Sequence, residues 1–179
     1  RSFANVDAVL VADYGHGLMT PKAVALACRQ APFLTVNTQI NAANIGFHAI
    51  SRYPNANHVC IQESELRLEY RSRRGPLRAM VTDLERRLSS QRITVTRGRT
   101  GILVHDQKGD FYESPAFAVK VLDRIGAGDA VLALTSLCAV AGVPPEVSAF
   151  LGNLAGAQAV TIIGNKASID KAVLLKAAE

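Results

Sequence analysis

Apolar and polar positions divide the chain into short β-branched runs and longer segments with helical spacing. The apolar runs predict four strands, at residues 6–12, 33–36, 58–61 and 92–96. Between the first two runs, Thr20 and Pro21 mark a helix start, with threonine as the cap and proline at the first position. Further helices are expected near residues 42–52 and 77–88. This alternation predicts a mostly parallel sheet with helices on both faces, a three-layer α/β/α fold.

The pattern changes after residue 100. Residues 101–105 and 111–114 flank the sequence Asp-Gln-Lys-Gly, which is typical of a β-hairpin turn. A strand is then predicted at 118–122, followed by two long helices at 127–141 and 145–162, and Ser168 is a candidate cap for a last helix. Because no linker or internal repeat separates these elements, we expect one domain over residues 1–179.

The composition is that of a globular protein, with 49% apolar residues, 20% charged residues and a net charge of +5. Such an apolar share excludes a disordered chain. The longest apolar stretch, residues 130–143, is shorter than the roughly 20 residues that a membrane span needs, so no membrane partner is predicted. The three cysteines form no CxxC pair and lie in apolar surroundings, which predicts buried, reduced thiols in a cytoplasmic protein. The histidines are not spaced as metal ligands.

Basic residues concentrate in one segment. Residues 67–99 hold ten arginines and three acidic residues, a local charge of +7 that leaves −2 for the rest of the chain. A solvated helix with salt bridges, a polyphosphate site and a nucleic-acid surface are all compatible with this segment. Nucleic acid is the least favoured partner, because no aromatic residue between Arg71 and Arg99 could stack on a base.

The most informative segment, residues 123–130, has the sequence Asp-Arg-Ile-Gly-Ala-Gly-Asp-Ala. Two glycines before an apolar helix let the backbone approach a ligand closely, and N–H groups at a helix start attract anions. A carboxylate at Asp129 could take a proton from a substrate hydroxyl while those amides hold the charge of a transferring phosphoryl group. An ordinary acidic residue in the first turn of a helix is the alternative, and these residues alone leave both interpretations open.

Other signatures do not fit this sequence. A dinucleotide-binding fingerprint needs Gly or Ala where Val131 stands, which disfavours that class. Neither the P-loop pattern GxxxxGK(S/T) nor the GxSxG nucleophile elbow occurs in the sequence.

Residues 123–129 resemble the second signature of the PfkB/ribokinase family of carbohydrate kinases, D-T-x-G-A-G-D. Three further segments resemble family motifs in the family's order: residues 62–65 the N-x-x-E motif, 96–101 the T-x-G-x-x-G nucleotide loop, and 153–160 the C-terminal nucleotide-side helix. The resemblance covers essentially the whole chain. It implies a ribokinase-like fold and the transfer of a phosphoryl group from ATP to a sugar, with Mg²⁺ as cofactor.

The resemblance also implies a role for each matching residue. Asp129 would be the catalytic base, beside an anion hole formed by the amides of Gly126, Ala127 and Gly128. Glu65 would organise Mg²⁺ and its waters, and Asp123 with the carbonyl of Ile125 lies where some members bind a monovalent cation such as K⁺. The residues implied to line the ATP pocket are Thr96, Gly98, Gly101 and Asn153, and Arg97 is implied either to meet the ATP phosphates or to be simply exposed.

Residues 11–17 resemble the S-D-Y-G-K-G segment of heptose 7-phosphate kinases, which favours a phosphorylated heptose or a similar sugar as substrate. Asp13 and Tyr14 are therefore candidate substrate-binding residues, and capping of the turn is an equal alternative for Asp13. The sequence departs from the family in four places: His16 replaces the usual lysine, residues 37–39 lack the usual D-P-K, and Gln62 and Arg124 replace asparagine and threonine.

The N-terminal half of family members supplies a glycine-rich sugar-binding motif and a β-lid, and this sequence begins after both. We therefore expect residues 1–179 to be the C-terminal, nucleotide-binding portion of a kinase, which alone binds ATP–Mg²⁺ weakly and phosphorylates sugar inefficiently. Because of the departures from the motifs, a degenerate module that binds nucleotide or serves assembly without catalysis is the alternative. Assembly into a homo-oligomer stays open.

Overall fold

The computed structural model describes residues 3, 5–45, 47–118, 120–164 and 166–178. These residues form one six-stranded sheet with strands β1 (Val9–Asp13), β2 (Leu34–Thr38), β3 (His58–Gln62), β4 (Arg92–Thr96), β5 (Ile102–Asp106) and β6 (Phe111–Ser114). The α-helices are α1 (Pro21–Gln30), α2 (Glu63–Glu69), α3 (Leu77–Leu88), α4 (Ala127–Val140), α5 (Pro145–Ala159) and α6 (Lys171–Ala178). Short 3₁₀ helices span Ile50–Arg52 and Gly98–Thr100.

The strands lie in the sheet in their order along the chain, from β1 at one edge to β6 at the other. β1 to β4 run parallel. β5 and β6 return antiparallel as the predicted hairpin, in whose turn the carboxylate of Asp106 accepts the N–H groups of Lys108 and Asp110. The mostly parallel sheet is therefore confirmed.

Apolar side chains pack against both faces of the sheet. One core joins the sheet to α1, α2 and α3, through residues such as Val24, Leu66 and Leu84. The other joins Cys60, Ile102 and Val104 of the sheet to Val131 and Leu132 of α4 and to Ala149 of α5. Helices thus cover both faces, and the three-layer α/β/α architecture is confirmed. This arrangement brings the start of α4 to the edge of the sheet where the parallel strands end.

Local signals placed several element ends correctly. The hydroxyl of Thr20 accepts the N–H of Ala23, so Thr20 caps α1 with Pro21 in the first turn. α3 and β4 have the predicted bounds. α2 was not predicted as a helix, although Gln62 and Glu65 form a capping box at its start. The side chain of Gln62 accepts the N–H of Ser64, and the side chain of Glu65 accepts the N–H of Gln62.

The predicted helix at 42–52 is wrong. Among the described residues of this segment the chain forms turns and then the 3₁₀ helix Ile50–Arg52. Asparagine side chains explain the difference: Asn44 accepts the N–H of Asn41, and Asn41 accepts the N–H of Ala43. Such side-chain bonds to the local backbone compete with the hydrogen bonds of a helix.

Two predictions near the C-terminus are also wrong. The described residues of the predicted strand 118–122 form no strand, and Val119 lies outside the described residues. The N–H groups of Leu122 and Asp123 instead donate to the carbonyl of Val160 at the end of α5. The last helix is capped by Asp170, whose carboxylate accepts the N–H groups of Ala172 and Val173, and not by Ser168.

All three cysteines lie in the described part of the chain and are free thiols, with Cys60 and Cys138 buried and Cys28 half-buried. Burial raises the pKa of the Cys60 thiol to about 12, so this thiol stays protonated and inert at neutral pH. In the described ranges, no helix has the length and apolar character needed to cross a membrane.

Candidate active site

The carboxyl ends of β1 to β4 lie at one edge of the sheet, because these strands are parallel. In open α/β sheets this edge is the usual place for a ligand. Tyr14, directly after β1, donates from its hydroxyl to Oδ1 of Asp129 in the first turn of α4, at 2.8 Å. The fold thus joins two predicted site residues that lie 115 positions apart in the sequence.

The loop before α4 is fixed by Asp123. Its carboxylate accepts the N–H of Ile125 at 3.0 Å and the N–H of Gly164 at 2.9 Å. These donors hold the pKa of Asp123 below its usual value, with the bond from Ile125 as the largest cause. Asp123 therefore ties the loop to the segment after α5. The carboxylate of Asp123 keeps lone pairs that these two bonds do not use. Together with the carbonyl oxygen of Ile125, they are candidate ligands for a monovalent cation.

α4 begins with unpaired amides. Gly126 has a φ of +79°, a conformation that favours glycine, and it precedes the helix as its N-cap. The first backbone bond across a full helical turn runs from the N–H of Ala130 to the carbonyl of Gly126, at 2.9 Å. Among the described residues, the N–H groups of Gly128 and Asp129 have no acceptor, as expected for the first turn of a helix. Unpaired N–H groups at this end of the helix fit an anion such as a phosphate.

Asp129 lies at the opening of a cleft. Its side chain is exposed, and it lines a cavity of about 320 Å³ together with Gly126, Ala130, Ala159 and Ile169. Oδ1 accepts the phenol of Tyr14, whereas Oδ2 has no hydrogen bond among the described residues. The carboxylate therefore has one free oxygen in open space beside free helix amides. A proton acceptor needs this accessibility.

A larger cavity of about 810 Å³ lies between the segment around Phe47 and α2, and Glu65 lines it. It includes core residues such as Ile50 and Ile61, which belong to the layer of α1 to α3. Asp129 does not line it. We take the smaller cleft as the candidate active site, because Gly126 and Asp129 at the start of α4 line it.

Asp13 is buried, with 4% of its surface exposed. Its carboxylate accepts the N–H of Gly15, the hydroxyl of Tyr53 and the guanidinium of Arg52. These contacts support the turn-capping alternative for Asp13. Tyr14 is exposed, and burial followed by the bond to Asp129 raises the pKa of its hydroxyl, so the phenol stays protonated.

Glu65 uses both carboxylate oxygens in the fold. Oε2 accepts the N–H of Gln62 and Oε1 accepts the N–H of Ile40. Burial raises the pKa of Glu65, and these two backbone donors oppose that shift. In the described residues, His, Cys, Asp and Glu form no cluster of three that could hold a metal ion. A magnesium ion at Glu65 would therefore depend on water and phosphate oxygens, which is how Mg²⁺ is often held.

Two residues expected at ATP have other partners. Arg97 forms ion pairs with Glu63 and Glu113, at 3.3 Å and 3.2 Å, so it is not simply exposed. Asn153 is buried, and its Nδ2 donates to the carbonyl of Ser114 at 2.8 Å. These bonds occupy Nε and Nη1 of Arg97 and Nδ2 of Asn153, and the expected roles of both side chains at ATP stay predictions.

The glycines of the predicted nucleotide loop differ from each other. Thr96 ends β4, and Gly98 begins the 3₁₀ helix that follows. Gly98 has a φ of +56°, and a Cβ there would meet no described atom within 4 Å. Gly101 has a φ of +95° and packs against the backbone of residues 114–116. Gly98 therefore faces open space at the predicted nucleotide loop, whereas Gly101 is required by the fold.

The basic segment is held by ion pairs. Acidic partners are present within 4 Å for Arg67, Arg78, Arg86, Arg87 and Arg97. This pairing supports the interpretation of the segment as a surface laced with salt bridges. It leaves less positive charge for a polyphosphate or a nucleic acid.

Sequence reasoning missed the residues that hold the turn after β1. His48, Arg52 and Tyr53 surround Asp13, and Asn41 and Asn44 bind the carbonyl of Tyr14. No local pattern marks them, since their partners lie 27 to 40 positions away. The abundance of polar side chains in the segment that failed to form a helix was the one available signal.

Comparison with known proteins identifies the class. The sequence pattern of the pfkB family carbohydrate kinases matches residues 2–172, so the chain belongs to this family. It is 33% identical over 175 residues to the "Bifunctional protein HldE" of Koribacter versatilis. The aligned residues cover 96% of this chain and 35% of that protein. A protein of the same name from Campylobacter jejuni is 27% identical over 161 residues, covering 88% of this chain and 34% of that protein. The chain thus spans about a third of the length of these relatives.

Solved structures share the fold. Arabidopsis thaliana ribokinase, solved with ribose and ATP, aligns with a TM-score of 0.75 and 16% identity, covering 97% of this chain and 56% of that one. Escherichia coli phosphofructokinase-2, solved with potassium, aligns with a TM-score of 0.72 and 19% identity, covering 87% of this chain and 50% of that one. At these identities the likeness establishes a ribokinase-like fold.

Proposed function

We propose that this chain is the nucleotide-binding, C-terminal portion of an ATP-dependent kinase that phosphorylates a hydroxyl of a sugar or sugar phosphate, with a heptose 7-phosphate as the preferred class. The observation that carries the proposal is the exposed carboxylate of Asp129 beside the unpaired amides at the start of α4. Membership of the pfkB family and the similarity to HldE proteins support it.

In the proposed reaction, the sugar hydroxyl oxygen attacks the γ-phosphorus and its proton passes to the carboxylate of Asp129. The bond between the γ-phosphorus and the bridging oxygen breaks, and ADP leaves. The amides at 126–128 stabilise negative charge on the phosphoryl oxygens. This electrostatic stabilisation lowers the barrier, because the charge is carried by these oxygens in the transition state. Among these amides, the N–H of Gly128 has no acceptor in the described part of the chain, whereas that of Ala127 has a long bond of 3.3 Å to the carbonyl of Arg124.

Mg²⁺, when bound, would neutralise charge on the ATP phosphates, and Glu65 would hold it through water. Asp123 and the carbonyl of Ile125 would provide oxygens for a monovalent cation. Thr96 and the open space over Gly98 are the parts of the nucleotide loop that are left free to contact ATP.

A non-catalytic module is the second candidate. It is favoured by the structural contacts of Arg97 and Asn153, which occupy side chains expected at the nucleotide. Such a module would bind ATP weakly or serve assembly, and it would transfer no phosphoryl group.

The two candidates differ in turnover, which can be measured on the intact protein. We expect incubation with ATP, Mg²⁺ and a panel of sugars and sugar phosphates to yield a new phosphate ester by ³¹P NMR, with a heptose 7-phosphate as the best substrate. Calorimetric titration with ATP measures nucleotide binding separately from phosphoryl transfer. Nucleotide binding without transfer to any member of the panel would contradict the kinase proposal and favour the non-catalytic module.

A further inference from the structure

Tyr14 links the turn after β1 to the first turn of α4. Its phenol donates to Oδ1 of Asp129 at 2.8 Å. A protonated phenol is a donor with a fixed reach, because the tyrosine ring has only two rotatable bonds to the backbone. A fixed backbone at Tyr14 therefore limits the positions that Oδ1 of Asp129 can take while this bond is kept.

The backbone of Tyr14 is held from both sides. Its carbonyl accepts Nδ2 of Asn41 at 3.0 Å and Nδ2 of Asn44 at 3.3 Å. The preceding carbonyl, of Asp13, accepts the N–H of Gln39 and a ring nitrogen of His48, both at 2.9 Å. A Cβ at residue 15 would overlap the side chain of Asn44, so only glycine allows this turn to lie against the asparagines.

The buried cluster under the turn has one consistent arrangement of protons. The guanidinium of Arg52 can only donate, so Nδ1 of His48, at 2.9 Å from it, is an acceptor. The other ring nitrogen, Nε2, faces the carbonyl of Asp13 at 2.9 Å and must therefore carry the proton. His48 thus bridges Arg52 and the backbone of Asp13, and Arg52 balances the buried carboxylate of Asp13 at 3.3 Å.

We infer that Tyr14 is a positioning residue for Asp129. The Asp13 cluster and the two asparagines hold Tyr14, and Tyr14 holds Oδ1 of Asp129, which leaves Oδ2 to accept the proton of the substrate hydroxyl. This inference rests on the proposed function for its kinetic consequence. The contact itself is independent of any activity.

The kinetic test compares Tyr14→Phe with wild type in the intact protein, with Tyr112→Phe on β6 as the matched control. Loss of a hydrogen bond to a charged group is expected to lower kcat by about tenfold to a hundredfold. The KM for ATP should stay unchanged and the thermal midpoint should fall by only a few degrees, because the lost bond lies at the exposed surface. Asn44→Ala should also lower kcat, and the double variant with Tyr14→Phe should be no slower than Tyr14→Phe alone, since both changes act through one bond.

The spectroscopic test uses tyrosine labelled with ¹³C at the ring carbon that bears the oxygen. The Tyr14 resonance is identified by its loss in Tyr14→Phe. We expect the Tyr14 phenol to deprotonate at lower pH in Asp129→Asn than in wild type, because the neighbouring negative charge is removed. The control substitution Asp170→Asn removes a carboxylate at the cap of α6 and should leave the Tyr14 titration unaltered.

The two tests separate the possible failures. An unaltered Tyr14 titration in Asp129→Asn, or a Tyr14→Phe protein with wild-type kcat, would overturn the positioning role. A coupled titration in a protein that transfers no phosphoryl group would support the pairing of Tyr14 with Asp129 and contradict the kinase function.

Discussion

Gly98 and Gly101 offer a matched pair of substitutions within one loop. Both have positive φ, +56° and +95°, so alanine is strained at either position. They differ in their surroundings. A Cβ at Gly98 would enter open space, whereas a Cβ at Gly101 would overlap the carbonyl oxygen of Ser114 and lie 2.7 Å from the nitrogen of Ala116. The atoms next to Gly101 belong to the backbone at the end of β6 and just after it, and this backbone cannot rotate away as a side chain could.

This difference sets the expected loss of stability. For Gly98→Ala we expect only the conformational strain, about 1–2 kcal/mol. For Gly101→Ala the overlap with backbone adds a further amount of about 1–3 kcal/mol, so the total is roughly 2–5 kcal/mol. In a chain of this size each kcal/mol lowers Tm by about 2–4 °C.

The measurement is urea and thermal unfolding of both variants in the intact protein, followed by circular dichroism and combined with ATP titration. We expect Gly101→Ala to unfold at clearly lower urea and temperature than Gly98→Ala. Gly98→Ala should stay folded and bind ATP more weakly, since its added methyl enters the space proposed for the nucleotide. Equal stability of the two variants would refute the reasoning, and so would a Gly98→Ala protein with unchanged ATP affinity.

Two further predictions concern buried polar groups. Burial, with a smaller contribution from Arg92, lowers the pKa of His58 from 6.5 to about 3, so the unfolded state binds more protons and stability should fall as pH decreases below 6.5, by about 3 kcal/mol at pH 4. His58→Gln should flatten the pH dependence of urea unfolding, and an unchanged slope would contradict the buried neutral histidine. Tyr53→Phe removes a donor to the buried carboxylate of Asp13 and should lower the free energy of unfolding by about 1–3 kcal/mol. Tyr70→Phe, whose acceptor is the more exposed carboxylate of Asp83, is the control and should cost less.

The regular parts of the fold were predictable because local chemistry decides them. β4 and α3 have the predicted bounds, since a short β-branched run is typical of a strand buried on both faces and an amphipathic helix buries one face. The helix expected at 42–52 failed because Asn41 and Asn44 bind the nearby backbone, a competition that apolar spacing does not report. The strand expected at 118–122 failed because its N–H groups near residue 122 find their acceptor at the end of α5.

The candidate site divides in the same way. The start of α4 could be predicted, because glycines, free amides and a carboxylate follow each other within residues 126–129. The contacts of Asp13, Arg97 and Asn153 could not be predicted from the sequence, because their partners come from distant segments: Tyr53 and Arg52 for Asp13, glutamates for Arg97, and the end of β6 for Asn153. A motif fixes the type of residue at a position, whereas the contacts of its side chain depend on the whole fold.

The most direct test of the central claim is the rate of γ-phosphoryl transfer by Asp129→Asn in the intact protein. Glu146→Gln is the matched control, because it removes a carboxylate from the first turn of the neighbouring helix α5. We predict that Asp129→Asn lowers kcat by about 10²–10⁴-fold, with ATP affinity and Tm close to wild type, and that Glu146→Gln has the wild-type rate. A wild-type kcat in Asp129→Asn would contradict the assignment of Asp129 as the catalytic base.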